Sequence, residues 1–123
     1  NKIVERINAK RLVIDSLPPL FFQFEHELAI RREILRLGAI LSETGCTTIL
    51  ITEAEAGSDK ISKFGVEEFI CQGVIQLFMR ERGTEMKRSL LVRKMRGTKH
   101  STRRYPFDIT PNGIVVFPGE EVY

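Results

Sequence analysis

Two groups of residues in this sequence have the types and spacing to handle a charged ligand. The first is a carboxylate. Arg11-Leu12-Val13-Ile14-Asp15 is a short apolar run that ends in Asp15 and is followed by Ser16. A run without polar alternation suits a strand buried on both faces, as in a parallel sheet. Ligands of open α/β sheets bind just beyond the carboxyl ends of such strands. The same position also suits an Asp that caps a helix or shapes a turn. The second group is cationic. Lys94 and Arg96 are two apart on an extended run and point the same way. Gly97 then lets the backbone turn, and Thr98 and His100 follow. An ammonium, a forked guanidinium and an imidazole that converge on one point suit a triphosphate. A strand edge guarded by positive charge is the plainer reading of the same residues.

The bulk composition is that of a globular protein. The 123 residues are 42% hydrophobic and 28% charged, enough for one domain or part of one with a core. No apolar run reaches the length of a membrane span, and no signal peptide is visible. The first residue is Asn1 and not Met, so the natural start is expected elsewhere. Cys46 and Cys71 lie far apart among apolar neighbours. They read as buried free thiols in a reducing, cytoplasmic setting, with a disulfide as the other reading. They form no CxxC pair, and His26 and His100 have no neighbour at metal-ligand spacing, so no zinc site is expected. The net charge is only +3, yet ten Lys or Arg and two Glu fall between Arg80 and Arg104. That run faces solvent, phosphate or an acidic partner.

These residues need elements to position them. Residues 2–9 read as the end of a helix with Ile3, Val4 and Ile7 on one stripe. After the Arg11–Asp15 strand, Pro18-Pro19 begins a loop. Residues 25–43 form the clearest helix, with Ile30, Ile34, Leu37 and Leu41 on its apolar stripe, Leu28 and Leu35 beside it, and Glu27 able to pair with Arg31. Gly45 ends it. Residues 46–52 are a second buried strand, rich in branched residues. Helix and strand alternate, which predicts an α/β fold with parallel strands and a right-handed crossover helix. Residues 53–64 are a polar loop around Gly57, Ser58 and Asp59, open to motion. A short helical turn is expected over 66–71. Residues 73–82 and 87–96 predict an antiparallel hairpin that turns within 81–86 at Gly83. A basic loop follows over 97–104, and residues 107–109 and 114–117 form a last small hairpin.

Apolar residues followed by Asp15-Ser16 match the second nucleotide motif of P-loop ATPases. Leu12-Val13-Ile14-Asp15-Ser16 resembles the Walker B strand of the KaiC-like branch of RecA-type ATPases. Gly65-Val66-Glu67-Glu68-Phe69 is similar to that branch's Gly-(Val/Ile)-Glu-Glu-Phe stretch, and Lys94 to His100 to its Lys-x-Arg-Gly-Thr-x-His segment. Tyr105-Pro106-Phe107 and Gly113 to Pro118 resemble its closing hairpin. The matches keep the family's order over residues 11–118.

The resemblance implies the C-terminal part of a RecA-like core, with residues 1–123 a partial domain. It implies hexameric rings with ATP between subunits. Asp15 would be the Walker B carboxylate, acting on Mg²⁺ through water. Lys94 and Arg96, as catalytic cations, and His100 would reach phosphates held by a neighbouring copy. Arg88 matches another basic position, and Thr52 and Glu53 sit where the adjacent strand ends near the nucleotide. Three departures stand out. No G-x-x-x-x-G-K-[ST] loop occurs in the sequence, and the family's upstream glutamates are missing too. Pro111 stands where some relatives carry an acidic residue. The expected function is therefore one part of an ATP-hydrolysing site, incomplete in this chain alone. The alternative is a nucleic-acid-binding module that uses the basic run, although Tyr105 is the one aromatic beside it. A third reading is an interaction protein that docks on full-length relatives, marked by an uncovered apolar face.

Overall fold

The computed structural model describes residues 2–54 and 60–120. It divides into two compact units, residues 1–71 and 72–123.

The first unit is a β-α-β arrangement. Helix α1 (Lys2–Arg6) leads through Asn8, at φ 50°, into β1 (Arg11–Asp15). A 3₁₀ turn (Pro18–Phe21) follows, then α2 (Glu27–Glu43), β2 (Thr47–Ile51) and the one-turn helix α3 (Glu67–Ile70). β1 and β2 run parallel in the register Leu12↔Thr48 to Asp15↔Ile51. Helix α2 starts two residues later than the periodicity predicts. His26 is extended, and its carbonyl accepts the N–H groups of Ala29 and Ile30. At the other end the Thr44 hydroxyl donates to the Leu41 carbonyl at 2.7 Å, and Gly45 turns the chain at φ 67°. Glu27 and Arg31 pair at 2.8 Å as their spacing predicts.

Leu17, Phe21 and Ile34 form the buried centre of this unit, with Ile14, Phe24, Ile30, Leu37, Leu50, Phe64, Val66 and Ile70 packed around it. Phe21 meets Phe64 edge-on, with centroids 6.1 Å apart. The strands differ from their sequence reading. They are not buried on both faces: Val13 and Ile49 are each 57% exposed, while Leu12, Ile14 and Leu50 face inward. Two strands and one crossover helix can cover only one side of the sheet. The thiols are likewise half-buried, and Cys46 donates to the Ala9 carbonyl at 3.2 Å.

The second unit is a four-stranded antiparallel sheet in the order β3 (Gly73–Arg82), β4 (Glu85–Met95), β5 (Arg104–Thr110), β6 (Gly113–Val116). The first hairpin turns on Gly83-Thr84 alone, with Gly83 at φ 61°. The closing hairpin begins earlier than expected. Arg104 to Pro106 pair with Leu91 to Ser89, which joins both hairpins into one sheet. The sequence hid this because Pro106 and the basic run around it read as loop. Among the described residues no helix is long and apolar enough to cross a membrane. The Gly57-Ser58-Asp59 part of the expected loop lies outside the described residues.

Helices α2 and α3 touch at Gly38. A Cβ there would lie 2.9 Å from Ile70 Cβ and 3.1 Å from its Cγ2. Helix propensity alone favours Ala over Gly by about 1 kcal/mol. Overpacking reverses this, so Gly38→Ala should lower the stability of this unit by about 1–3 kcal/mol. A urea titration followed by circular dichroism measures it, and a gain in stability would contradict the close contact.

Candidate functional site

The parallel register brings the ends of β1 and β2 side by side. Asp15 lies opposite Ile51, and Leu17 donates its N–H to the Ile51 carbonyl at 2.8 Å. Asp15 and Glu53 are exposed at this rim, and Ser16 and Thr52 are half-buried. The peptide bond between Asp15 and Ser16 is cis. Among the described residues the Asp15 carboxylate has no ion pair or hydrogen bond. No cluster of three or more His, Cys, Asp or Glu gathers as a metal cage among them. A lone exposed carboxylate fits Mg²⁺, which keeps several of its waters and needs few protein ligands.

Behind the rim lies a buried acid. Glu67, at the start of α3, is only 3% exposed. Its carboxylate accepts from the Ser62 hydroxyl at 2.7 Å, the Thr52 hydroxyl at 3.1 Å, and the N–H groups of Phe64 and Val66 at 3.2 and 3.1 Å. Ser62 is also within hydrogen-bonding reach of Glu68. Burial works to raise the Glu67 pKa, but the bonds from Ser62 and from the surrounding backbone outweigh it and hold the carboxyl below its ordinary value. Arg31 adds a tie from α2: its Nε donates to the Phe64 carbonyl at 3.0 Å. Gly65, at φ 70°, makes the tight turn between these donors.

The second unit carries the cations. Directly paired residues share a face of a sheet. Val74 pairs with Lys94, and the Arg96 N–H donates to the Gln72 carbonyl at 2.9 Å, so Lys94 and Arg96 lie on one face. A bulge between Val74 and Ile75 makes Arg93 the extra residue. Arg88, opposite Met79, therefore falls on the other face. Gly97, at φ 68°, turns the chain after Arg96. The loop beyond it is ordered by Ser101, whose Oγ accepts the Arg103 N–H at 3.1 Å and bonds the Tyr105 hydroxyl at 2.7 Å. His100 Nδ1 lies 3.0 Å from the Ser101 carbonyl. A carbonyl only accepts, so Nδ1 carries the proton and Nε2 is left for another partner. Next to this region the Arg104 guanidinium stacks 3.7 Å above the Phe78 ring.

The family described as "ATPase: KaiC" matches residues 1–121. The chain belongs to the KaiC ATPase family. A UPF0273 protein of Pyrococcus horikoshii is 44% identical over 115 residues, which cover 94% of this chain and 45% of that protein. The circadian clock oscillator protein KaiC of Synechococcus elongatus is 38% identical over 118 residues, 96% of this chain and 23% of its own length. A crystal structure of a KaiC-like protein from Pyrococcus horikoshii superposes with a TM-score of 0.84 at 54% identity, over 95% of this chain and 53% of that one. The chain spans about half or less of the length of these relatives. The α/β arrangement of parallel strands, crossover helix and antiparallel hairpins is accordingly the RecA-like one of this family.

The candidate residues fall into two sets. Asp15, Ser16, Thr52 and Glu53 share the strand-end rim of the first unit, and Arg88, Lys94, Arg96 and His100 belong to the second. Sequence reasoning used Glu67 only as part of a family resemblance and missed its place behind Thr52. The available signal was a Glu-Glu pair at the start of a short helix, with Thr and Ser donors upstream.

Glu67 also makes stability depend on pH. Its pKa is depressed in the folded state, so its stabilising effect is present above the ordinary glutamate value and is lost as pH falls through the folded-state pKa. At neutral pH Glu67→Gln should cost about 1–3 kcal/mol, because buried donors lose their acceptor. The urea midpoints of wild type and variant should converge at acid pH; parallel curves would contradict the assignment.

Proposed function

We propose that this chain supplies part of an ATP site shared between two copies of the full-length protein, within a hexameric ring that hydrolyses ATP. In this reading the chain is the C-terminal part of the ATPase core, and β1 is its Walker B strand. The Asp15 carboxylate accepts hydrogen bonds from the waters of Mg²⁺, held there by β1 and its partner strand. The bound Mg²⁺ neutralises charge on the phosphates. From the neighbouring copy, Lys94 and Arg96 reach the transferring phosphoryl group, and His100 adds its imidazole. Arg88 lies on the opposite face of the sheet from Lys94 and Arg96, so it serves a different part of the nucleotide.

The observation that carries this reading is the register that puts Lys94 and Arg96 on one face at the end of β4, just before the turn at Gly97. Two cations in fixed positions stabilise charge as it spreads over phosphate oxygens in the transition state, without rearranging at that moment. A guanidinium supplied in trans is worth on the order of a thousandfold or more in rate.

In the full-length protein Arg96→Ala should lower kcat for ATP hydrolysis by roughly that factor while KM changes little. Mixing Arg96→Ala subunits with Asp15→Asn subunits should restore activity, since some interfaces then combine an intact Asp15 with an intact Arg96. Mixed rings as inactive as the separate variants would overturn the shared site. The 123-residue chain by itself should bind ATP–Mg²⁺ only weakly, and micromolar binding by calorimetry would count against this reading.

A further inference from the structure

We infer that Glu67 is a positioning residue that fixes the Thr52 hydroxyl as a hydrogen-bond acceptor toward the strand-end rim. This inference rests on the ATP–Mg²⁺ reading of that rim and deepens it. The argument begins with protons. An ionised carboxylate can only accept hydrogen bonds. Glu67 accepts from the Thr52 hydroxyl and two backbone N–H groups, while the single proton of Ser62 is shared between Glu67 and Glu68. The backbone groups have no other choice, so the carboxyl does not need its own proton to satisfy its neighbours.

Thr52 has a single hydroxyl proton and gives it to Glu67 Oε1 at 3.1 Å. Only the lone pairs of its oxygen are left for anything beyond β2. Thr52 is therefore unable to donate to a phosphate oxygen. It can accept from water, including water bound to a cation. The exposed neighbours Asp15 and Glu53 are acceptors too. The side chains of this rim thus fit the donors on a hydrated divalent cation, with the phosphates left to the cations of a neighbouring copy. A bare hydroxyl would accept or donate as the ligand required. Glu67 removes that freedom, because its buried carboxylate, held by backbone donors, keeps an acceptor in front of the hydroxyl.

Ser62 gives a control. Its hydroxyl proton is shared between Glu67 and Glu68, and it lies away from β2 in sequence and makes no hydrogen bond to Thr52. Removing it weakens the same carboxylate site without changing where the Thr52 proton goes.

The test has two arms in the full-length protein. The first reads the hydrogen bond itself. In protein labelled with ¹³C at glutamate, the Glu67 carboxyl should titrate below the ordinary glutamate range and move upward in Thr52→Val, a substitution of nearly equal volume. Thr52→Ser should restore the wild-type titration. In a double-mutant cycle, the unfolding constants for Thr52→Val and Glu67→Gln should depart from additivity by about tenfold. An unmoved titration together with additive effects would overturn the inference.

The second arm reads the cation. With ATP saturating, Glu67→Gln should raise the Mg²⁺ concentration for half-maximal hydrolysis several-fold and leave KM for ATP nearly unchanged. A Gln amide can donate to Thr52 and reverse its polarity, which explains the expected direction. Ser62→Ala should lose stability yet keep the wild-type Mg²⁺ dependence. Equal shifts in Ser62→Ala and Glu67→Gln would reduce Glu67 to a structural role and overturn the inference. A wild-type protein that hydrolyses ATP while Glu67→Gln keeps its Mg²⁺ dependence would overturn this inference alone. A wild-type protein that neither binds nor hydrolyses ATP would overturn the proposed function, and the cation role of Thr52 with it, even if the first arm showed the hydrogen bond.

Discussion

A carboxylate taken out of water costs several kcal/mol unless hydrogen bonds or charges replace its hydration. Among the described residues Glu67 meets that constraint with hydrogen bonds and no ion pair. Two hydroxyls and two backbone N–H groups surround it, drawn from the end of β2 and from the segment before α3. The turn at Gly65, the tie from Arg31 to Phe64 and the seating of Ile70 against Gly38 hold the same segment. The chemistry of the rim depends on the same arrangement, because it decides which way the Thr52 hydroxyl points its proton.

The second unit meets a different constraint. It must keep many cations close together on a small sheet. Alternation and a bulge distribute them: Lys94 and Arg96 on one face, Arg88 on the other. Arg104 covers Phe78, and burial, then the nearby Arg80 charge, pull its guanidinium below its ordinary pKa. Lys87 pairs with Glu85 at 2.5 Å. A charge run that looks uniform in sequence thus becomes several distinct environments.

The apolar faces bear on the same question. Val13 and Ile49 lie on the uncovered side of the parallel pair, and Ile75, Leu77 and Met79 are exposed along β3. Their residue types suit burial, and this is why β1 and β2 read as strands covered on both sides. An apolar run reports what a strand can tolerate on each face. It does not report how many neighbours the chain itself supplies.

Much was legible in the sequence because it depends on local pattern. The stripe of Ile30, Ile34 and Leu37 made α2, with Gly45 as its stop. The branched run at Thr47–Ile51 made β2, and Gly83 set the hairpin. The order of Asp15-Ser16, Gly65 to Phe69 and Lys94 to His100 was enough to indicate the family. Other features were decided only by tertiary structure, since they depend on residues far apart in the chain. Leu17, Phe21 and Phe64 come from segments that read as loops, yet they build the core, because aromatic rings reach it from either side of α2. Arg104 joined a strand because Leu91 and Ser89 were there to pair with it and with Pro106. The sequence by itself determined which residue types could act: a carboxylate at a strand end and cations two apart. The fold decided which way side chains face, through a bulge that moved Arg88 to the opposite face and a buried Glu67 that accepts the hydrogen bond of Thr52. No local pattern encodes either effect, because each arises where separate segments meet and must satisfy one another's hydrogen bonds.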